Sequence, residues 1–137
     1  MDWEHIDMLI RDLPLIDWRT FDRTHRQLGH QFQRVFGYLL EDGPKSLTVI
    51  ERAVRELNAV QIILPAHSIK GEALHFGAAQ LALLASTIEF DARDCVERRS
   101  EPTMLIANVA QLRPLFNQSI AEFETAIAAG HKKRRAA

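Results

Sequence analysis

The chain has 137 residues, 47% of them apolar, with a formal net charge of −1. That is enough for one domain with its own core, and the composition is that of a soluble globular protein. The near-zero charge gives no electrostatic case for nucleic acid, and no apolar run approaches a membrane span. Charge is nonetheless uneven. His131 to Ala137 carries four basic residues, leaving 13 basic against 18 acidic residues in the body. Residues 131–137 therefore read as a basic disordered tail. The single cysteine, Cys95, rules out an internal disulfide and fits a reducing compartment. The first residues, MDWEHIDM, lack an apolar signal core, so a cytoplasmic location is expected.

Trp3 to Leu13 mixes acidic and apolar residues and reads as a short helix stopped before Pro14. Residues 1–16 form an N-terminal extension that caps one end of a bundle. From Asp17 to about Glu41 the spacing of Phe21, His25, Leu28, Phe32, Val35 and Leu39 predicts a long amphipathic helix, ended by Asp42-Gly43. His25 lies on its apolar stripe and reads as a partly buried histidine. It cannot share a metal with His30, five residues on. Pro44 opens a second helix, where its missing N–H costs nothing, with Leu47, Ile50, Val54 and Leu57 inward. Asn58 is the expected N-cap of a third helix running to Phe76.

Within that third helix Ile62, Ala66, Ile69, Ala73 and Phe76 share one apolar face at about 100° per residue. His67 then lies on the opposite side, toward solvent. Lys70 follows one turn on, and Gly71 occupies the position whose side chain would normally cover His67. A glycine inside a helix costs roughly 1 kcal/mol relative to alanine. Access to the imidazole is the expected reason. An exposed histidine, a cation and a bare backbone suit a phosphate better than a metal. Pro65 removes the bond to the Gln61 carbonyl and predicts a kink just before His67. Ile63, Leu64 and Leu74 surround His67 with exposed aliphatic surface and suggest a docking face.

Gly77 breaks the chain, and a fourth helix covers Ala78 to about Arg98, with Leu81, Leu84, Ala85 and Ile88 inward. A link this short implies an antiparallel hairpin. It places His67 opposite roughly Thr87, with Glu89 within one turn. Glu89 can then accept a hydrogen bond from His67 Nδ1–H. A last helix, Pro102 to Ala129, carries the stripe Leu105, Val109, Leu112, Phe116, Ile120, Phe123 and Ile127. Pro114 predicts a kink near Ala110, and Gly130 ends the helix. No segment alternates as a strand does. The expectation is all-α: an antiparallel up-down four-helix bundle over residues 17–130, with an additional short N-terminal helix.

The run Ala66-His67-Ser68-Ile69-Lys70-Gly71-Glu72-Ala73, followed by Gly77-Ala78, resembles the phosphoacceptor helix of histidine-containing phosphotransfer (HPt) domains. The resemblance extends from about Asp17 to Ala129. It implies a phosphorelay role, with His67 as phosphoacceptor and Lys70 stabilising the phosphoryl group. It also implies that Glu89, in a place commonly held by Gln or Glu, orients the ring. Gly71, Ile63, Leu64 and Leu74 become the partner-docking residues. Arg93 matches a basic position in some members and is otherwise an ordinary surface residue. The implied partners are response-regulator receiver domains or a hybrid histidine kinase. The chain is expected to be a monomer, with no nucleic acid or membrane partner and no cofactor or metal of its own. Mg²⁺ is expected in the partner receiver.

Other chemistries lack their motifs. There is no phosphate-binding loop, kinase signature, zinc histidine pair or cysteine cluster. Ser68 points about 100° from His67 and makes a poor nucleophile–base pair. The chain is thus expected to carry phosphate rather than draw it from ATP. Two alternatives stand beside this. One is a helical adaptor that docks a receiver or kinase without being phosphorylated. The other is a kinase dimerisation domain, in which an acidic residue usually follows the histidine; here Ser68 does.

Overall fold

A computed structural model describes residues 3–130. Its helices are α1 (Trp3–Asp12), α2 (Trp18–Leu28), α3 (Phe32–Arg55), α4 (Val60–Phe76), α5 (Ala79–Arg98) and α6 (Ile106–Ala128). Short 3-10 turns at Gly29–Gln31 and Pro102–Leu105 precede α3 and α6. The fold is an all-α bundle, and the described residues hold no strand. Helices α3 to α6 form the four-helix body. α4 packs against α3 and α5, and α6 closes the ring between them. Short links between successive helices force the up-down, antiparallel order. The basic tail at 131–137 lies outside the described residues.

The first break in the chain does not fall at Asp42-Gly43. Gly29 closes α2 with φ +55 and donates its N–H to the His25 carbonyl. Glycine tolerates that backbone far better than any other residue. α3 then runs unbroken through Asp42, Gly43 and Pro44 to Arg55. Proline removes only one bond from the ladder, and the apolar face formed by Leu39, Gly43, Leu47 and Ile50 is fully buried on both sides of it. Packing therefore overrides the local stop signal. Gly43 marks a close helix approach, since a Cβ there would overlap the Phe116 ring of α6.

One end of the bundle is closed by aromatic rings. Phe21 stacks on Phe123 at 5.1 Å, Phe32 on Phe36 at 5.7 Å, and Phe76 meets Phe36 edge-on at 5.6 Å. Such pairs contribute beyond their buried area. His25 is half-buried against Phe32, with ring centroids 4.4 Å apart. Asp17 caps α2 by accepting the N–H groups of Arg19 and Thr20. The Asp17 N–H itself donates to the Gly77 carbonyl at 2.7 Å, and the Thr24 hydroxyl donates to the His75 carbonyl. α2 is thereby fastened to the turn between α4 and α5. Arg113 of α6 makes a two-pronged ion pair with Glu51 of α3 at 2.8 and 3.0 Å.

Two glycines of α3 should respond oppositely to alanine. A Cβ at Gly37 meets nothing within 4 Å, so Gly37→Ala is expected to stabilise the fold by about 0.5–1 kcal/mol. Gly43→Ala forces the Phe116 ring aside and should destabilise by about 1–3 kcal/mol. Chemical denaturation of the two variants checks both signs.

Candidate functional site

The buried face of α4 is Ile62, Ala66, Ile69, Ala73 and Phe76. The helix is continuous through Pro65. Its entry is fixed by Asn58, whose side-chain oxygen accepts the Gln61 N–H at 3.3 Å. Opposite the buried face His67 stands in solvent, its side chain 57% exposed. Gly77 then ends the helix in the left-handed region at φ +88, with the N–H groups of Gly77 and Ala78 both bonded to the Ala73 carbonyl. A side chain at Gly77 would run into the Asp17 carbonyl. This turn sets the register of α5 against α4.

That register puts Glu89 beside His67. The imidazole Nδ1 lies 3.0 Å from Glu89 Oε2. The same carboxylate receives the Lys70 ammonium at 2.9 Å on Oε1. On Oε2 it also accepts from Arg93, 3.2 Å from Nε and 2.9 Å from Nη2. Glu89 is buried, its side chain only 7% exposed. No aligned hydrogen-bond donor meets Oε1, so the Lys70 ion pair alone compensates that oxygen. Burial pushes the carboxyl up. Lys70, Arg93 and His67 together outweigh it and hold the group down to about 2.

A carboxylate ionised at neutral pH can only accept a hydrogen bond. In the neutral ring the proton of His67 must therefore sit on Nδ1, which leaves the Nε2 lone pair unprotonated. Half-buried Lys70 and exposed Arg93 flank the ring as cations. Arg93, one turn beyond Glu89, thus belongs to the cluster and is more than an ordinary surface residue.

Gly71 is exposed, and a Cβ there would meet nothing within 4 Å. The fold itself does not require a glycine at this place. Leu64 and Leu74 are 73% and 59% exposed. Ile63 differs from the expected open placement: it is half-buried and packs against the core. On the α3 side of His67 lies a recess of about 580 Å³, lined by Asp42, Lys45 and Ser46 of α3 and by Ser68, Gly71 and Glu72 of α4. Glu72 and Asp42 were not singled out in the sequence. Glu72 directly precedes buried Ala73, a place where a helix turns inward.

A second cleft, about 310 Å³, opens between α1, α5 and α6. Its charged residues, Asp7 and Arg11, are paired with each other at 2.9 Å. Among the described residues no group of three histidine, cysteine or acidic side chains could hold a metal ion.

The depressed Glu89 carboxyl has a pH signature. A group ionised more readily when folded stabilises the fold above its unfolded value, here 4.5, and loses that contribution as pH falls towards 2. Glu89→Gln should therefore lack one component of the acid destabilisation between about pH 4.5 and 2. Denaturation curves for the two proteins across that range check it, as does a ¹³C titration of the Glu89 carboxyl.

Comparison with known proteins agrees with this architecture. The family model described as "Hpt domain" matches residues 34–129, a span that contains His67, Lys70, Glu89 and Arg93. No curated protein and no solved structure gives a match. No helix among the described residues is long and apolar enough to cross a membrane. With well over half of its length matched, this all-α chain belongs to the histidine-containing phosphotransfer domain family and has a phosphotransfer role in phosphorelay signalling.

Proposed function

We propose that the chain accepts a phosphoryl group on His67 from the aspartyl phosphate of a response-regulator receiver domain, and returns it to the same or another receiver. What supports this most is one contact, the Nδ1–H···Oε2 bond to Glu89 at 3.0 Å. It leaves Nε2 as the nucleophilic nitrogen of a solvent-facing ring. Nε2 attacks phosphorus as the bond from phosphorus to the aspartate oxygen breaks. The carboxylate leaves with the electron pair, and an N–P bond forms. The ring gains positive charge, which the adjacent Glu89 carboxylate offsets. Reversal follows the same path.

Such transfers depend chiefly on positioning and on charge placed in advance. Lys70 is held next to the ring by the carboxylate that also holds His67, so its ammonium can turn to the phosphoryl oxygens. Bare Gly71 lets the partner approach closely. Exposed Leu64 and Leu74 give the docking face apolar surface, with Ile63 supporting it from beneath. Mg²⁺ belongs to the receiver in this scheme and would neutralise phosphoryl charge there. The acting unit is a monomer, and a hybrid kinase that carries a receiver is an equally suitable partner.

Incubation with phosphorylated receiver domains is the test. The chain should gain an acid-labile phosphate on His67. His67→Ala should abolish the gain and keep the fold, since Glu89 retains Lys70 and Arg93. Lys70→Ala should slow transfer by roughly 10²-fold with receiver affinity changed by no more than about tenfold. Gly71→Glu should block docking through bulk and charge. Receiver binding without any phosphate gain would instead make the protein a non-transferring adaptor.

A further inference from the structure

The recess beside His67 holds two carboxylates from different helices. Glu72 enters from α4, one residue after Gly71, and Asp42 from α3. Glu72 Oε1 is shut off from solvent and meets no hydrogen-bond donor. The charged and titratable groups that share the recess with it are Asp42 and Lys45 from α3 and His67 from its own helix. α2 and α5 also pack on α4, but neither adds a residue to the lining. Among the described residues no ion pair joins Lys45 to either carboxylate.

A negative charge on Glu72 is disfavoured twice, by lost hydration and by the like charge of Asp42. The two effects raise its carboxyl to about 7. Both protonation states are therefore well populated near neutrality. This is the reverse of Glu89, whose charge is fully met. His67 forms part of the recess wall. Gly71, over which the receiver closes in the function proposed above, lines the same recess, so a receiver docked on His67 and Gly71 covers it. Covering it strips the remaining water from Glu72 and brings a negatively charged phosphoryl group close by. Each change favours the neutral carboxyl.

We propose that Glu72 takes up a proton when a receiver domain docks over His67, so that this association tightens as pH falls through neutrality. The inference rests on the phosphotransfer function proposed above and adds proton-linked regulation to the same site. Glu72 touches no reacting atom. It acts on the charge of the docking face, with its burial first and Asp42 second setting the pH at which it responds.

The test measures affinity for the receiver that donates phosphate to His67, by calorimetry at pH 6, 7 and 8. If docking selects the protonated form, wild-type affinity should fall about tenfold from pH 6 to pH 8. Glu72→Gln, held neutral, should keep its pH 6 affinity at pH 8. Asp42→Asn should move the wild-type midpoint to lower pH. At pH 7, wild-type binding in two buffers of different ionisation enthalpy should show net proton uptake that Glu72→Gln lacks. Equal pH slopes for wild type and Glu72→Gln, with transfer to His67 intact, would overturn this inference alone. A ¹³C midpoint for Glu72 near 4.5 in the free protein would do the same. Absence of association with any receiver at every pH would remove the phosphotransfer function and this inference together.

Discussion

Burying a carboxylate between two helices is unfavourable unless its charge is met. Glu89 is buried on α5 and touches three donors, His67 and Lys70 from α4 and Arg93 from its own helix. Each contact fixes something different. The bond to His67 selects the ring tautomer. The Lys70 contact keeps an ammonium in waiting beside the ring. Arg93 shares Oε2 with the imidazole and adds to Lys70 in keeping the carboxylate ionised. Without Glu89, two cations and a histidine would face one another with nothing between them.

The rest of the molecule holds those two helices in register. Gly77 makes the tight left-handed turn, and Asp17 and Thr24 fasten α2 across its end. The phenylalanine cluster fills the space beneath. The Arg113–Glu51 pair and the Gly43–Phe116 approach tie α6 to α3. His67 is thereby held against Glu89, while Gly71 and Leu64 beside it stay open to solvent.

Much of this was legible in the sequence. Apolar spacing on α4, α5 and α6 located the buried faces, because a 3.6-residue period is imposed by packing. The contact between His67 and Glu89 followed from a short turn and equal rise on two antiparallel helices. Helix limits near the N-terminus were not legible. Leu28-Gly29 and Asp42-Gly43-Pro44 carry similar local signals, and only the packing of Leu39, Leu47 and Phe116 decides which one breaks the helix. A single-helix projection turns Ile63 too far outward for the same reason: its neighbours cover more of α4 than the projection shows. Glu72 carries no signal in the sequence, because its burial and the nearby charge of Asp42 both arise only when the helices pack.

His67, Lys70, Gly71, Glu89 and Arg93 all sit on the α4–α5 hairpin, joined by a turn at Gly77 and Ala78. Contacts of such short sequence separation form with little loop-closure entropy. The histidine cluster is in effect a cassette: a contiguous stretch of chain that carries its own wiring. A matching apolar seat for Ile62, Ile69, Phe76 and Ile88, with a fastening across the Gly77 turn, is what the cassette asks of the helices around it.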